Sequence, residues 1–183
     1  MARGSSSSYV ALLRGINVAG KNKLAMADLC EMFVAAGASD VQSYIQSGNV
    51  VFKAPVRLAE RMPELITRAI KKATRYDVPV VLRSAAELGL VLTCNPFLKS
   101  KKVESLHMMF LADRPSPKAV AGLDPNRSAG DEFKVIGRDV YLCLPNGVGK
   151  TKLSNAYFDS RLSTVSTIRN WRTVQKLLEL AEG

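Results

Sequence analysis

The sequence is poor in the residues from which catalytic and metal sites are usually built. It has one histidine, His107, which excludes a multi-histidine metal site. It has three cysteines, Cys30, Cys94 and Cys143, far apart and with no CxxC pair. That pattern argues against a disulfide framework or a zinc site and for buried free thiols in a reducing, cytoplasmic setting. No DxD or HExxH spacing appears among the carboxylates, so no paired acid–base set or metal hydrolase is visible. No metal and no cofactor are expected. No apolar run approaches bilayer-spanning length, and no signal-type apolar core follows the opening MARGSSSS, so no membrane partner is expected. Residues 1–8 read as a flexible tail. Acidic residues are also scarce, with 16 Asp and Glu against 26 Lys and Arg, a net charge of +10. Such a field favours polyanions, anionic small molecules or acidic partners without choosing among them.

What is present is a regular alternation of strand-like and helix-like stretches. Tyr9 to Leu13 is an apolar run that ends at Arg14 and a glycine-containing basic loop with Gly15, Gly20, Lys21 and Lys23. A strand running into such a loop before a helix is one way that chains present backbone N–H groups to an anion. Met26, Leu29, Phe33 and Ala36 then share a helical face, and Gly37 is a plausible stop. Residues 41–45 and 49–53 read as a hairpin about Ser47-Gly48. The pattern over Arg57 to Tyr76 is the longest helical one; Pro63, which lacks a donor, predicts a start near Met62. Val78 to Arg83 is a β-branched strand. The order β-α-β-β-α-β over residues 9–83 predicts a ferredoxin-like α/β plait.

The remainder, residues 84–183, predicts a second, less regular plait-like subdomain. Ser84-Ala85-Ala86-Glu87 has the spacing of a capping box. A basic loop with Lys99, Lys101 and Lys102 precedes a strand over Leu106 to Ala112. A short helix is expected over Ser116 to Leu123, and a hairpin pairs Phe133 to Ile136 with Val140 to Leu144. A short helix over Leu153 to Ser160 follows, and a last helix runs from Thr167 to Ala181, capped by residues among Thr164 to Thr167. The sum is β-α-β-β-α, close to a second copy of the first plan, with no repeat in the residues themselves. The fold class expected is therefore α+β, with two plait subdomains.

Three features invite a chemical reading. Gly147-Val148-Gly149-Lys150-Thr151 resembles the end of a P-loop, but Leu144 occupies the place of the first glycine, and the preceding strand reads as half of an antiparallel hairpin. An exposed lysine in a hairpin-to-helix loop explains the same residues. His107 lies in a predicted strand with no nucleophile-elbow pattern nearby, so it reads as a sheet histidine. Trp171, at helical spacing with Ile168, Val174, Leu178 and Ala181, reads as a core anchor. Arg169, placed in a first helical turn, would oppose the helix dipole, a conflict that a bound anion or a carboxylate partner would relieve.

The segments Leu12 to Val18 (LLRGINV), Gln46 to Phe52 (QSGNVVF) and Thr167 to Val174 (TIRNWRTV) together resemble the bacterial DUF1697 family, a domain of unknown function. The family's first segment usually reads LLRGINVGG; here Ala19 replaces the first glycine of the pair. The resemblance covers nearly all of the chain after the tail. It implies two α/β-plait subdomains and brings no activity, cofactor or catalytic residue. Plaits host RNA binders, metal carriers, sensors and enzymes alike. The aromatic pattern of RNA-recognition plaits is absent here.

The expected function is binding of an anionic ligand, a nucleic acid or a phosphorylated small molecule, at a basic site between the subdomains. The residues expected to carry it are Arg14, Asn17, Lys21, Lys23, Asn49, Thr167, Arg169, Asn170 and Arg172. Two alternatives stand beside it: an enzyme that uses a polar cleft with Asn17, Ser47, Asn49 and Asn170, and a protein–protein adaptor marked by an exposed apolar patch.

Overall fold

The computed structural model describes residues 6–18 and 20–183. Ala19 and most of the expected tail, residues 1–5, lie outside them. Two compact units form, the first from Met1–Gly89 with Lys176–Gly183 and the second from Leu90–Gln175.

The first unit strings together β1 (Ser7–Leu13), α1 (Met26–Ala35), β2 (Ser39–Tyr44), β3 (Asn49–Ala54), α2 (Val56–Thr74) and β4 (Val80–Ser84). Its antiparallel sheet has the order β2-β3-β1-β4, the plait expected from the sequence. Strand β1 begins earlier than Tyr9: Ser7 and Ser8 already pair with Ala54 and Lys53, because β3 extends far enough to offer them partners. Tyr9, Ala11 and Leu13 pack with Leu29 and Phe33 of α1 and with Met62, Ile66 and Ile70 of α2. Phe52 links the layers, with ring centroids 5.8 Å from Tyr9 and 5.1 Å from Phe33. Val10 and Leu12, on the other side of the strand, are buried as well. This explains why β1 reads as a continuous apolar run rather than an alternating one.

Helix α2 starts at Val56, a turn and a half before the expected start, and takes Pro63 into its interior. The ring removes the N–H that would bond the carbonyl of Ala59. Burial of Ala59 and Met62 outweighs that loss, so the tertiary packing overrides the local signal. Helix α3 (Ala85–Thr93) starts as its spacing predicts. The Ser84 Oγ accepts the Glu87 N–H at 3.2 Å, and Glu87 Oε2 accepts the Ser84 N–H at 2.8 Å, a reciprocal capping box.

The second unit repeats the plan with β5 (Leu106–Leu111), α4 (Pro117–Ala121), β6 (Glu132–Ile136), β7 (Asp139–Cys143), α5 (Asn155–Leu162) and β8 (Ser166–Asn170), followed by α6 (Trp171–Glu182). The sheet order β6-β7-β5-β8 matches the first unit's, again antiparallel. Met109, Leu111, Val140 and Leu142 pack with Phe158 and Leu162 of α5, and Phe133 meets Phe158 edge-on at 5.4 Å.

Strand β8 corrects the expected last helix. Ser166–Asn170 pairs with β5, Arg169 opposite Met108 and Asn170 opposite His107, and the helix begins only at Trp171. Ile168 and Trp171 share helical spacing by coincidence across a strand-to-helix junction. The stretch Val165 to Ile168 is largely β-branched, and β5 lies between β7 and β8 in the sheet. The expected caps serve elsewhere: Thr164 Oγ1 accepts the Asp113 N–H, and Ser166 Oγ donates to Asp159 Oδ1 at 2.6 Å. Asn170 is the true cap, its Oδ1 accepting the Thr173 N–H at 2.8 Å. The second subdomain is therefore a full βαββαβ plait rather than a variant lacking its last strand. The expectation of three buried thiols also needs correction: all three cysteines are free, but only Cys143 is buried, Cys30 being half-buried and Cys94 exposed.

Candidate anion-binding site

The loop after β1 is built from left-handed residues. Gly15, Asn17, Gly20 and Asn22 all have positive φ, between 47° and 77°, conformations that glycine and asparagine adopt most easily. Asn17 is its organising residue. The Asn17 Nδ2 donates to the carbonyls of Leu24 at 2.8 Å and Gln46 at 3.0 Å, while Oδ1 accepts the Leu24 N–H at 2.9 Å. The Asn22 Nδ2 donates to the Gly15 carbonyl at 2.9 Å, and the Lys21 N–H donates to Val18. The loop is thus closed on itself and tied to the β2–β3 turn. In that turn Asn49 Nδ2 donates to the Tyr44 carbonyl and to Ser47 Oγ. Gly48 is required there: at φ +74° a Cβ would stand 2.7 Å from Leu13 Cβ and 2.9 Å from Ile16 Cγ1.

The five first-unit residues singled out in the sequence therefore gather at one end of its sheet, with different roles. Asn17 spends both ends of its amide on backbone, and Asn49 is buried with its Nδ2 donated internally. Lys21 and Lys23 are exposed, and Arg14 is half-buried with its N–H on the Pro79 carbonyl.

The other four residues belong to the second unit. Thr167 is buried, and its Oγ1 accepts from Arg169 Nη1 at 2.8 Å. The same Nη1 donates to the Ile168 carbonyl at 2.7 Å, so the guanidinium folds back along its own strand. Burial lowers the pKa of Arg169 to about 10, which leaves it charged at neutral pH. Because Arg169 lies in β8 and not in a helical turn, the dipole conflict expected for it does not arise. Arg172 is paired at the surface with Glu104 at 2.7 Å, and Asn170 is occupied as a cap.

The second unit also has a cleft of about 720 Å³ that the sequence marked only as a basic loop. Lys101, Lys102 and Ser105 line one side and Cys143, Asn146 and Gly147 the other. Lys101 pairs with Glu132, whose carboxylate raises the lysine's pKa. Ser105 Oγ lies 3.5 Å from Cys143 Sγ. Gly147 and Lys150 belong to the loop that invited the P-loop reading. It follows β7, which is antiparallel to both of its neighbours, so the parallel strand a P-loop requires is missing at that place. The loop's only distinctive sequence signal is its glycines; its proximity to Lys101 depends on the β5–β7 pairing. His107 is a buried sheet histidine with Nδ1 3.1 Å from the Ser105 carbonyl, and Trp171 is a buried anchor.

These features define a class: a double α/β plait with an internally hydrogen-bonded basic loop on one unit and an open cleft on the other. The chain belongs to the DUF1697 family of proteins of unknown function, whose model matches residues 7–141. No curated protein matches it. Among solved structures, it is similar to a conserved bacterial protein, SP0830, from Streptococcus pneumoniae. The two are 22% identical, with 98% of this chain and 100% of the other covered and a TM-score of 0.76. At that identity the likeness speaks to the fold. Among the described residues no helix is long and apolar enough to cross a membrane.

Proposed function

We propose that this protein binds an anionic ligand, a nucleic acid or a phosphorylated small molecule, through Arg14, Lys21 and Lys23 at the loop end of the first unit. The observation that carries the reading is the internal fixation of that loop by Asn17. Lysines on a flexible loop lose affinity to ordering when a ligand arrives; here the backbone is already held by bonds to Leu24 and Gln46. The net charge of +10 supplies a long-range field of the right sign. The free thiols support a reducing, cytoplasmic setting.

The cleft beside Lys101 and Lys102 favours the small-molecule form of the ligand, since its volume falls within the range of ordinary small-molecule pockets. Calorimetric titration with pyrophosphate separates the two places. Binding lost on Lys21→Gln with Lys23→Gln supports the loop, and binding lost on Lys101→Gln with Lys102→Gln supports the cleft. Heat equal to that of the protein-free control, at low salt and in both forms, ends the small-anion reading.

A further inference from the structure

The face of α2 turned away from the core carries a charge surplus that the unit neutralises only in part. Residues 56–75 hold six cations and two carboxylates, a surplus of four out of the whole protein's ten. At about 100° per residue, Arg57, Arg61, Arg68 and Lys72 fall within an arc of about 60° and run roughly 22 Å along the axis. Arg75, the C-cap residue, follows them. All five are exposed. Arg68 pairs with Glu64, and the neighbouring Lys71 with Asp77. Among the described residues, Arg57, Arg61, Lys72 and Arg75 meet no carboxylate. Elsewhere Lys53 pairs with Asp40, Arg172 with Glu104 and Lys176 with Glu179, while what distinguishes α2 is that its cations share one narrow arc.

The placement works against the isolated helix. Arg57 with Arg61, and Arg68 with Lys72, are like-charge pairs at i, i+4, which repel. The first turn has no acidic residue and no side-chain cap, so Arg57 faces the positive end of the dipole unopposed. An extended row of negative charge laid along the helix would relieve each of these repulsions at once.

We infer that the exposed face of α2 is a docking surface for the sugar–phosphate backbone of a nucleic acid, held without regard to base sequence. Charge complementarity along a straight line selects this partner. Successive cations lie about 4.5 to 10.5 Å apart along the axis, on average about 7 Å, close to the spacing of a phosphate row, and four of the five are arginines, whose planar fork takes phosphate oxygens in pairs. An anionic membrane fits less well. A membrane-binding helix inserts its apolar side, but Met62, Ile66 and Ile70 are fully buried in the unit's own core. This surface is separate from the loop proposed above and is tested separately.

The test is fluorescence anisotropy of the intact protein with a labelled duplex of arbitrary sequence, and with its single strand, across about 50 to 200 mM salt. With four unpaired cations engaged, log affinity should fall with log salt at a slope of about −3 to −4 on duplex, and a scrambled duplex should bind alike. Replacing Arg57, Arg61, Lys72 and Arg75 by Gln should weaken binding roughly a hundredfold at low salt and flatten the slope by about three. A charge-matched control, with Arg114, Lys118, Lys134 and Arg161 changed to Gln in the second unit, should leave binding within a few-fold. Circular dichroism of both variants, expected to match the unaltered protein, checks that they remain folded. Equal loss in both variants overturns the inference, because bulk charge then suffices. So does absence of binding by the unaltered protein at the lowest salt, or binding to phosphatidylserine vesicles without binding to nucleic acid. If Lys21→Gln with Lys23→Gln abolishes binding and the α2 variant does not, the loop reading stands and this one falls.

Discussion

Asn17 shows how a residue expected at a ligand can be used by the chain itself. Its position between two glycines marks a turn, but its partners are 7 and 29 residues away, beyond what local spacing reveals. The Ser84–Glu87 pair was legible because both of its bonds close within three residues. His107 belongs at the same scale. Burial lowers its pKa from the usual 6.5, and donation from Nδ1–H to the Ser105 carbonyl offsets this only in part. With the folded value below the unfolded one, the unfolded chain takes up the proton first. This contribution to stability is present above pH 6.5 and is lost as pH falls through the folded value. Urea midpoints measured from pH 7.5 down to about 5 should therefore decline more steeply for the native protein than for His107→Gln. Parallel curves would show that the ring titrates alike in both states.

Elements were legible where periodicity and environment agree. Both plaits have strands one side of which packs on helices, and their hairpins and core helices lie close to where the pattern puts them. The two misread boundaries share a cause. At α2, a proline that reads as a start lies inside the helix; at β8, residues with helical spacing form a sheet's last strand. In each case burial and strand pairing, which involve distant residues, outweigh local preference. Restoring the missing donor tests this account of α2. Pro63→Ala should return a bond to the Ala59 carbonyl and raise stability by about 1–3 kcal/mol, seen as a higher urea midpoint with unchanged slope. A lower midpoint would mean that the packing depends on the shape the proline imposes.

At the scale of the whole molecule, the first compact unit is discontinuous: it takes residues 176–183 from the far end of the chain. Ala181 is buried there, and the Leu180 carbonyl accepts from Gln42 Nε2 of β2. A chain ending at Gln175 would lose these contacts and the burial of Leu177. It should be destabilised by about 2–4 kcal/mol, read as an earlier urea transition. An unchanged transition would assign those eight residues no part in the unit's stability. The charge of +10 also acts at this scale, and its uneven distribution, four of the ten on one helix and its C-cap residue, underlies the proposed nucleic-acid surface.

From the sequence alone came the class of the fold, the duplicated order of elements, the solvent-facing cations and the free state of the thiols. Each follows from periodicity, composition or spacing within a few residues. Only the tertiary structure decided that β8 is a strand, that Asn17 and Asn49 are engaged internally, that Arg172 is paired, and that Lys101 and Gly147 share a cleft. Those outcomes depend on which segments become neighbours, and burial and hydrogen-bond pairing between distant residues settle that.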